Sequence, residues 1–139
     1  MNGDISIIRI PAEEVNDLWH SVIVPQLSQS VKWPDVDPTF LLVCVQDGLK
    51  ICLLAYIEDA SGQQVVSGAC IFEITDINDK QNAIVNIRGG TDIATVRPAI
   101  RTKIQDIGLL DKVFAYEFSN GSGWITNHSR FWQPCKVKR

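Results

Sequence analysis

Two consecutive apolar segments in the middle of the chain constrain its fold more than any other feature. Residues Ile51–Glu58 and Gln64–Thr75 are apolar and rich in strand-forming side chains. The five residues between them, Asp59–Gln63, are mostly small or polar and include a glycine. Two strand-like runs separated by a short loop with glycine are typical of a β-hairpin. The centre of the chain is therefore predicted to be a β-hairpin.

The N-terminal part predicts a strand followed by a helix. Isoleucines dominate Ile5–Ile10, which suits a strand, and Pro11 followed by an alanine and two glutamates opens a helix with acids in its first turn. Pro25 is expected to kink or end this helix, because proline lacks an N–H. Helical spacing of the apolar residues gives the buried face as Val15, Leu18, Trp19 and Val22.

A second helix is predicted over residues 39–47. Asp37 is placed to cap its N-terminus, Pro38 suits its first position, and Gly48 is placed to end it. The apolar run Leu41–Val45 also suits a strand, so both interpretations stay open here.

The sequence after the hairpin predicts a strand, a helix and a second strand. The strand Ala83–Arg88 follows a polar turn over Asp76–Asn82, and Gly89-Gly90 leads into a helix that ends near Gly108. Apolar residues of this helix share one face: Val96, Ile100, Ile104 and Ile107. A cap at Thr95 would place Pro98 in the first turn.

The C-terminal part is predicted to hold a strand, a short helix and an extended end. These cover Val113–Ser119, residues 124–131 and residues 135–138. The predicted fold class is therefore α/β (α+β), with one domain over residues 1–139. Its sheet is expected to be mixed, mostly antiparallel and flanked by helices.

Composition excludes several classes of protein. No stretch of about 18 apolar residues exists to span a membrane, and the first residues lack the pattern of a signal peptide, so we expect the chain to fold in the cytosol and not to be secreted. The four cysteines, Cys44, Cys52, Cys70 and Cys135, form no CxxC motif and are predicted to be thiols, three of them in apolar runs. No metal-ligand spacing is present, so no metal site is predicted.

The charges are distributed unevenly along the chain. Residues 1–92 contain 13 Asp and Glu against 5 Lys and Arg, whereas residues 93–139 contain 3 against 8. This asymmetry suits an anionic ligand on the C-terminal third, or docking between copies or with other proteins, unless folding cancels the field. The isoelectric point near 5.3 argues against nucleic-acid binding.

The element order and a set of short motifs resemble the GNAT N-acetyltransferase fold, as small phage-encoded proteins carry it. The resemblance covers nearly the whole chain. It rests on Val15–Trp19 with Pro25–Leu27, on Gln46–Gly48, on Val66–Ala69, on Ile87–Gly90 and on Gly123-Trp124.

For an active GNAT, this resemblance implies acetyl-CoA in a gap between two splayed strands, Ala83–Arg88 and Val113–Ser119. The diphosphate would lie on backbone amides at the start of the following helix. The cofactor-binding residues are then Arg88, Gly89, Gly90, Thr91 and Arg97. Glu117 is the first candidate for the catalytic base and Glu73 the second.

The sequence also departs from the family pattern. Residues 88–94 do not fit the spacing Gln/Arg-x-x-Gly-x-Gly/Ala, and Asp92 places a carboxylate where phosphate charge would lie. No tyrosine follows Trp124 to protonate a leaving thiolate, and the arginine that the phage relatives carry before Gly-Trp is absent. A glycine pair such as Gly89-Gly90 also marks plain strand-to-helix turns.

Two functions therefore stay open. One is a catalytically silent structural or accessory protein of a virion, located in the virion or the host cytoplasm and bound to other phage proteins or to its own copies, with no cofactor. The alternative is an acetyl-CoA-dependent N-acyltransferase that acts on an amine.

Overall fold

A mixed sheet forms the centre of the protein. The computed structural model of the chain describes residues 3–77, 80–108, 114–119 and 124–126. Its strands are β1 (Ile5–Ile10), β2 (Ile51–Glu58), β3 (Gln64–Ile77), β4 (Lys80–Gly89), β5 (Phe114–Ser119) and β6 (Trp124–Thr126). They lie in the sheet in chain order. Neighbouring strands are antiparallel except β4 and β5, which are parallel. The predicted fold class and the central hairpin are confirmed.

The first helix is built from three short segments. These are α1 (Val15–Leu18), a π-helical turn (Trp19–Ile23) and α2 (Val24–Leu27), together called the N-terminal helix. Its fully buried side chains repeat every four residues: Val15, Trp19, Ile23 and Leu27. An α-helix has 3.6 residues per turn, so a repeat of four drifts around it, and the wider π-helical turn corrects this drift. Leu18 and Val22, also predicted for the buried face, pack half-buried against the same core, and the π-helical turn brings Ile23 fully into it.

Pro25 does not end the helix at its own position. It lies at the start of α2, directly after the π-helical turn, and the helix continues to Leu27. In that turn the N–H of Val24 reaches back to the carbonyl of Trp19. A proline inside a regular α-helix would clash with the carbonyl four residues earlier. We infer that the altered turn makes room for Pro25.

Helix α3 (Pro38–Gln46) settles the ambiguity over residues 41–45 in favour of a helix. The carboxylate of Asp37 accepts from the amides of Thr39 and Phe40, so the predicted cap is confirmed. Gly48 follows the helix with a φ of 80°, which other residues adopt only with strain.

Removing the cap should weaken α3 without disturbing the core. We expect Asp37→Ala to lower the free energy of unfolding by about 1 kcal/mol, because two amides lose their acceptor. Asp37→Asn keeps a capping oxygen and should lose much less. Urea unfolding of both variants measures the difference, and equal losses would contradict this role for the Asp37 side chain.

The two faces of the sheet carry separate cores. On one face α4 (Ile93–Gly108) packs on the middle strands. Its buried residues there are Val96, Ile100 and Ile104, as predicted, and Ile107 packs beside them half-buried. The N-terminal helix and α3 cover the other face, which includes Cys52, Leu54, Ala69, Ile71 and Ile87. Both faces of β2 and β3 are therefore buried.

Three predicted boundaries are wrong. Helix α4 begins at Ile93 and not after Thr95, because the amides of Thr95 and Val96 both donate to the carbonyl of Asp92. Pro98 therefore lies inside the helix. Strands β3 and β4 extend through most of the predicted turn 76–82 as a long hairpin.

The third error concerns the predicted C-terminal helix. Residues 124–126 form β6, since they pair with β5. Residues 127–131 of that helix, and the predicted extended end at 135–138, lie outside the described residues.

The described cysteines are buried thiols, as predicted. Cys44, Cys52 and Cys70 are all buried. Burial raises the pKa of the Cys52 thiol far above its usual range, so it is protonated and unreactive. Cys135 lies outside the described residues.

Candidate active site

Pairing between the two parallel strands stops part-way along β4. The register between β4 and β5 begins at Asn82 opposite Phe114 and ends at Val85 opposite Glu117. Beyond that point β4 continues beside β3 as far as Gly89, whereas residues 117–119 of β5 pair with β6. The ends of β4 and β5 therefore diverge, at the place where the resemblance implies a ligand-binding gap.

A β-bulge in β4 coincides with this divergence. Ile87 lies opposite Ile71 and Val85 lies opposite Phe72, so Asn86 has no register partner on β3. It has none on β5 either, because that register ends one residue earlier. An extra residue bends the strand that carries it and increases its twist. The bulge at Asn86 thus provides a physical cause for the divergence.

The predicted base Glu73 lies beside this bulge in an ion pair. The Nζ atom of Lys50 donates to Oε1 of Glu73 and also, over 3.1 Å, to Oδ1 of Asn86. The Lys50 side chain is 12% exposed and that of Glu73 is 30% exposed, so water screens the pair only in part. The protein's own ammonium group therefore already neutralises the Glu73 carboxylate. The catalytic role of Glu73 stays a prediction.

The other predicted base, Glu117, occupies the last paired position of β5. Its register partners are Val85 on β4 and Thr126 on β6. Its backbone consequently lies where β4 and β5 begin to diverge, while its side chain lies outside the described part of the structure. Its role as a base stays a prediction.

Two backbone amides of the turn between β4 and α4 already have acceptors within the protein. The N–H of Thr91 donates to Oε1 of Gln26 over 3.0 Å, and the N–H of Asp92 donates to the carbonyl of Ser67 over 3.0 Å. The next two amides, of residues 93 and 94, lie in the first turn of α4, where an α-helix offers no carbonyl to accept from them. An anion at this turn would therefore accept hydrogen bonds from the amides of residues 93 and 94 more readily than from the amide of Thr91.

The glycine pair has a packing role in this turn. A Cβ on Gly90 would lie 2.4 Å from Cα of Gly68 and 2.4 Å from the carbonyl oxygen of Ser67. A Cβ on Gly89 would lie 2.9 Å from the carbonyl oxygen of Gln26. Both approaches are shorter than any normal contact of a methyl group. The turn thus packs directly on β3 and on the end of the N-terminal helix, and this packing explains both glycines without a ligand.

Arg97 is the described residue that best fits an anionic ligand. It lies in the first turns of α4, and its Nε atom is buried without a hydrogen-bond acceptor among the described residues. A buried donor without an acceptor is costly in free energy, and an anionic group at the surface beside it would remove that cost. Arg88, the other predicted arginine, is half-buried on β4 opposite Cys70.

Gln26 connects the N-terminal helix to this turn, so its loss should be measurable. The Gln26 side chain is 8% exposed. We expect Gln26→Ala to lower the free energy of unfolding by about 1–3 kcal/mol, because the Thr91 amide loses its acceptor. The exposed Gln29, three residues later, is the matched control, and Gln29→Ala should change stability by less than about 0.5 kcal/mol. Similar losses in urea unfolding for both variants would contradict a special role of Gln26.

Sequence reasoning missed Gln26, Lys50 and Asn86. A signal existed for Asn86, because it is the single amide side chain in the otherwise apolar run 83–87. No local pattern could find Gln26, whose partner Thr91 is 65 residues away. The partners of Lys50 on β3 and β4 are 23 and 36 residues away, so the same holds for Lys50.

Within the described residues, no group of three His, Cys, Asp or Glu side chains is arranged to hold a metal ion. None of the helices that the structure describes has both the length and the apolar character needed to cross a membrane.

Solved structures resemble the whole fold. No protein-family model and no curated protein matches the sequence. A probable acetyltransferase matches with a TM-score of 0.57 at 13% identity, over 96% of this chain and 90% of that one. A possible acetyltransferase from Clostridium difficile 630 matches with a TM-score of 0.53 at 7% identity, over 97% and 91%. This chain has a GNAT-like fold. At such low identity the likeness concerns the GNAT-like fold alone, because one fold hosts many functions.

Proposed function

We propose that this protein transfers an acyl group from acetyl-CoA to an amine. The observation that supports the proposal is the divergence of β4 and β5 after Val85 and Glu117. The start of α4 at Ile93 follows the end of β4 closely, so the positive end of the helix dipole lies at the same end of the sheet as the opening. An extended, anionic thioester suits a cleft between two strands next to a helix N-terminus.

The residues at this site fit acetyl-CoA in part. Arg97 and the amides of residues 93 and 94 would hold its anionic groups, and Arg97 has the orphaned donor described above. Thr91, Gly89 and Gly90 fit less well. The amide of Thr91 already donates to Gln26, and backbone atoms of the protein pack closely against both glycines. When bound, acetyl-CoA supplies an acyl group activated as a thioester.

Under this proposal the chain's own residues orient the amine and take up its proton. An amine attacks only in its neutral form, so a base must lie where the two strands part. Glu117 is placed there by the backbone, whereas Glu73 is paired with Lys50. The family pattern has a tyrosine that protonates the thiolate. Residues 125–139 contain none, so water is proposed as the acid.

The second candidate is a catalytically silent protein that binds other proteins. The engaged amides of Thr91 and Asp92 favour it, because they withdraw two donors from a phosphate site. The neutralised carboxylate of Glu73 favours it as well. Its phage origin, virion location and partners stay predictions from the sequence.

Thermal unfolding with and without millimolar acetyl-CoA tests the proposal. A ligand present at about 100 times its Kd stabilises a protein by about 2.7 kcal/mol, so a clear rise in Tm is expected. Acetyl phosphate at the same concentration is the control for a nonspecific effect of anions. An unchanged Tm at saturating acetyl-CoA would overturn the acyltransferase proposal and favour the silent protein.

A pair of variants assigns the binding to this site. Arg97→Gln removes the orphaned donor and should reduce the shift, because a charge-assisted hydrogen bond contributes about 1.5–3 kcal/mol. Lys103→Gln removes a charge further along the same helix and should leave most of the shift intact. An equal reduction in both variants would point to general electrostatic attraction in place of a specific contact.

A further inference from the structure

We propose that Lys50 is a positioning residue that holds the β4 bulge in place and thereby keeps β4 apart from β5. The inference rests on the proposed function only for its consequence, which is acetyl-CoA binding. The position of Lys50 at the bulge does not depend on that function, because its Nζ atom directly contacts Glu73 and Asn86.

Lys50 joins three parts of the chain at one atom. It lies in the connection between α3 and β2, and its Nζ atom reaches Glu73 on β3 and Asn86 on β4. Few surface lysines are held in this way, since a lysine side chain loses much rotamer freedom when it is fixed. With the side chain only 12% exposed, the ammonium group depends on these two acceptors for its polar contacts.

The contact with Asn86 matters because of its position. Asn86 is the extra residue of the bulge and follows the last β4 residue that pairs with β5. A bulge of this kind can in principle shift by one residue along its strand, and a one-residue shift moves side chains to the opposite face. Lys50 anchors the Asn86 side chain to Glu73, so it opposes such a shift.

Glu73 acquires a role from the same arrangement. It accepts from the Lys50 ammonium group and so holds that group beside the bulge. Glu73 lies opposite Ile84 on β4, two residues before Asn86. This role explains why an acidic residue lies half-buried on β3 beside the apolar residues 71, 72 and 74.

Native-state amide hydrogen exchange of Lys50→Met tests the positioning role. Methionine keeps most of the length of the side chain and removes the donors. We expect amide exchange at residues 85–88 to become about tenfold faster or more, because local opening of the bulge becomes easier. This increase is counted beyond any change in the slowest amides, which report global unfolding. Lys50→Arg retains donors and should stay within about threefold of the wild type.

Ile10→Val is the matched control for stability alone. Ile10 is buried on β1, away from β4, and the variant should lose about 0.5–1.5 kcal/mol. It should not change exchange at residues 85–88 beyond that global loss. Unchanged local exchange in Lys50→Met, or an equal local change in Ile10→Val, would overturn the positioning role.

The affinity for acetyl-CoA separates this inference from the proposed function. If the wild type binds, Lys50→Met should raise the Kd by about tenfold, since small displacements near a binding site have large effects. Lys50→Arg and Ile10→Val should bind like the wild type. Unchanged affinity in Lys50→Met would count against the inference. A wild type that does not bind would refute the proposed function, while the exchange experiment still decides the role of Lys50.

Discussion

Replacing Gly90 with alanine is expected to lower the free energy of unfolding by about 3 kcal/mol, the upper part of the usual range for overpacking. The new Cβ would lie 2.4 Å from Cα of Gly68 and 2.4 Å from the carbonyl oxygen of Ser67. Both atoms belong to the backbone of β3 and cannot rotate away, so the turn and the strand must separate. Urea unfolding measures the loss, and a large decrease in soluble yield would have the same meaning.

Gly48→Ala is the control for this prediction. Gly48 has open space around its Cα but a φ of 80°, so an alanine there suffers backbone strain and no steric conflict. The expected loss is about 1–2 kcal/mol. If Gly90→Ala were no more destabilising than Gly48→Ala, the close packing of the turn on β3 would be wrong, and a ligand-binding reason for the glycine pair would become stronger.

The Trp19→Ala variant should lose about 3–5 kcal/mol, because it removes the largest side chain that is fully buried among the described residues and leaves a cavity. Trp19 begins the π-helical turn and packs in the core between the N-terminal helix and the sheet. The loss should also weaken the contact between the N-terminal helix and the turn at Gly89. Chemical denaturation measures the total effect.

Trp33→Ala provides the matched comparison, since the same atoms are removed. Trp33 lies in a short 3-10 turn and is only partly buried against the same core. We expect a clearly smaller loss for Trp33→Ala. A loss as large as that of Trp19→Ala would show that the 3-10 turn contributes to the core as strongly as the N-terminal helix does.

The strands and helices with strong local patterns were predictable from the sequence. The hairpin of β2 and β3, the Asp37 cap and the apolar face of α4 each depend on residues close together in the chain. The π-helical turn was not predictable, since the full burial of Ile23 depends on what the helix packs against. Short β6 was also beyond reach, because pairing with β5 decided its structure.

The candidate site was likewise predictable in part from the sequence. Its location at the ends of β4 and β5 followed from the element order and the resemblance. Its chemistry depended on contacts between distant residues. Gln26 holds the Thr91 amide and Lys50 neutralises Glu73, and no local pattern indicates either contact. These contacts argue against the predicted roles of Thr91 and Glu73 in the site. The orphaned Nε of Arg97 supports the predicted role of that residue.

The central claim is that the opening between β4 and β5 binds acetyl-CoA. The most direct measurement is a titration of ¹⁵N-labelled protein with acetyl-CoA, followed through the backbone amide resonances. Binding in this opening should give saturable shifts confined to residues 86–89 of β4, the first turn of α4 and residues 117–119 of β5. No saturable shifts, or shifts confined to a surface distant from these strands, would contradict it.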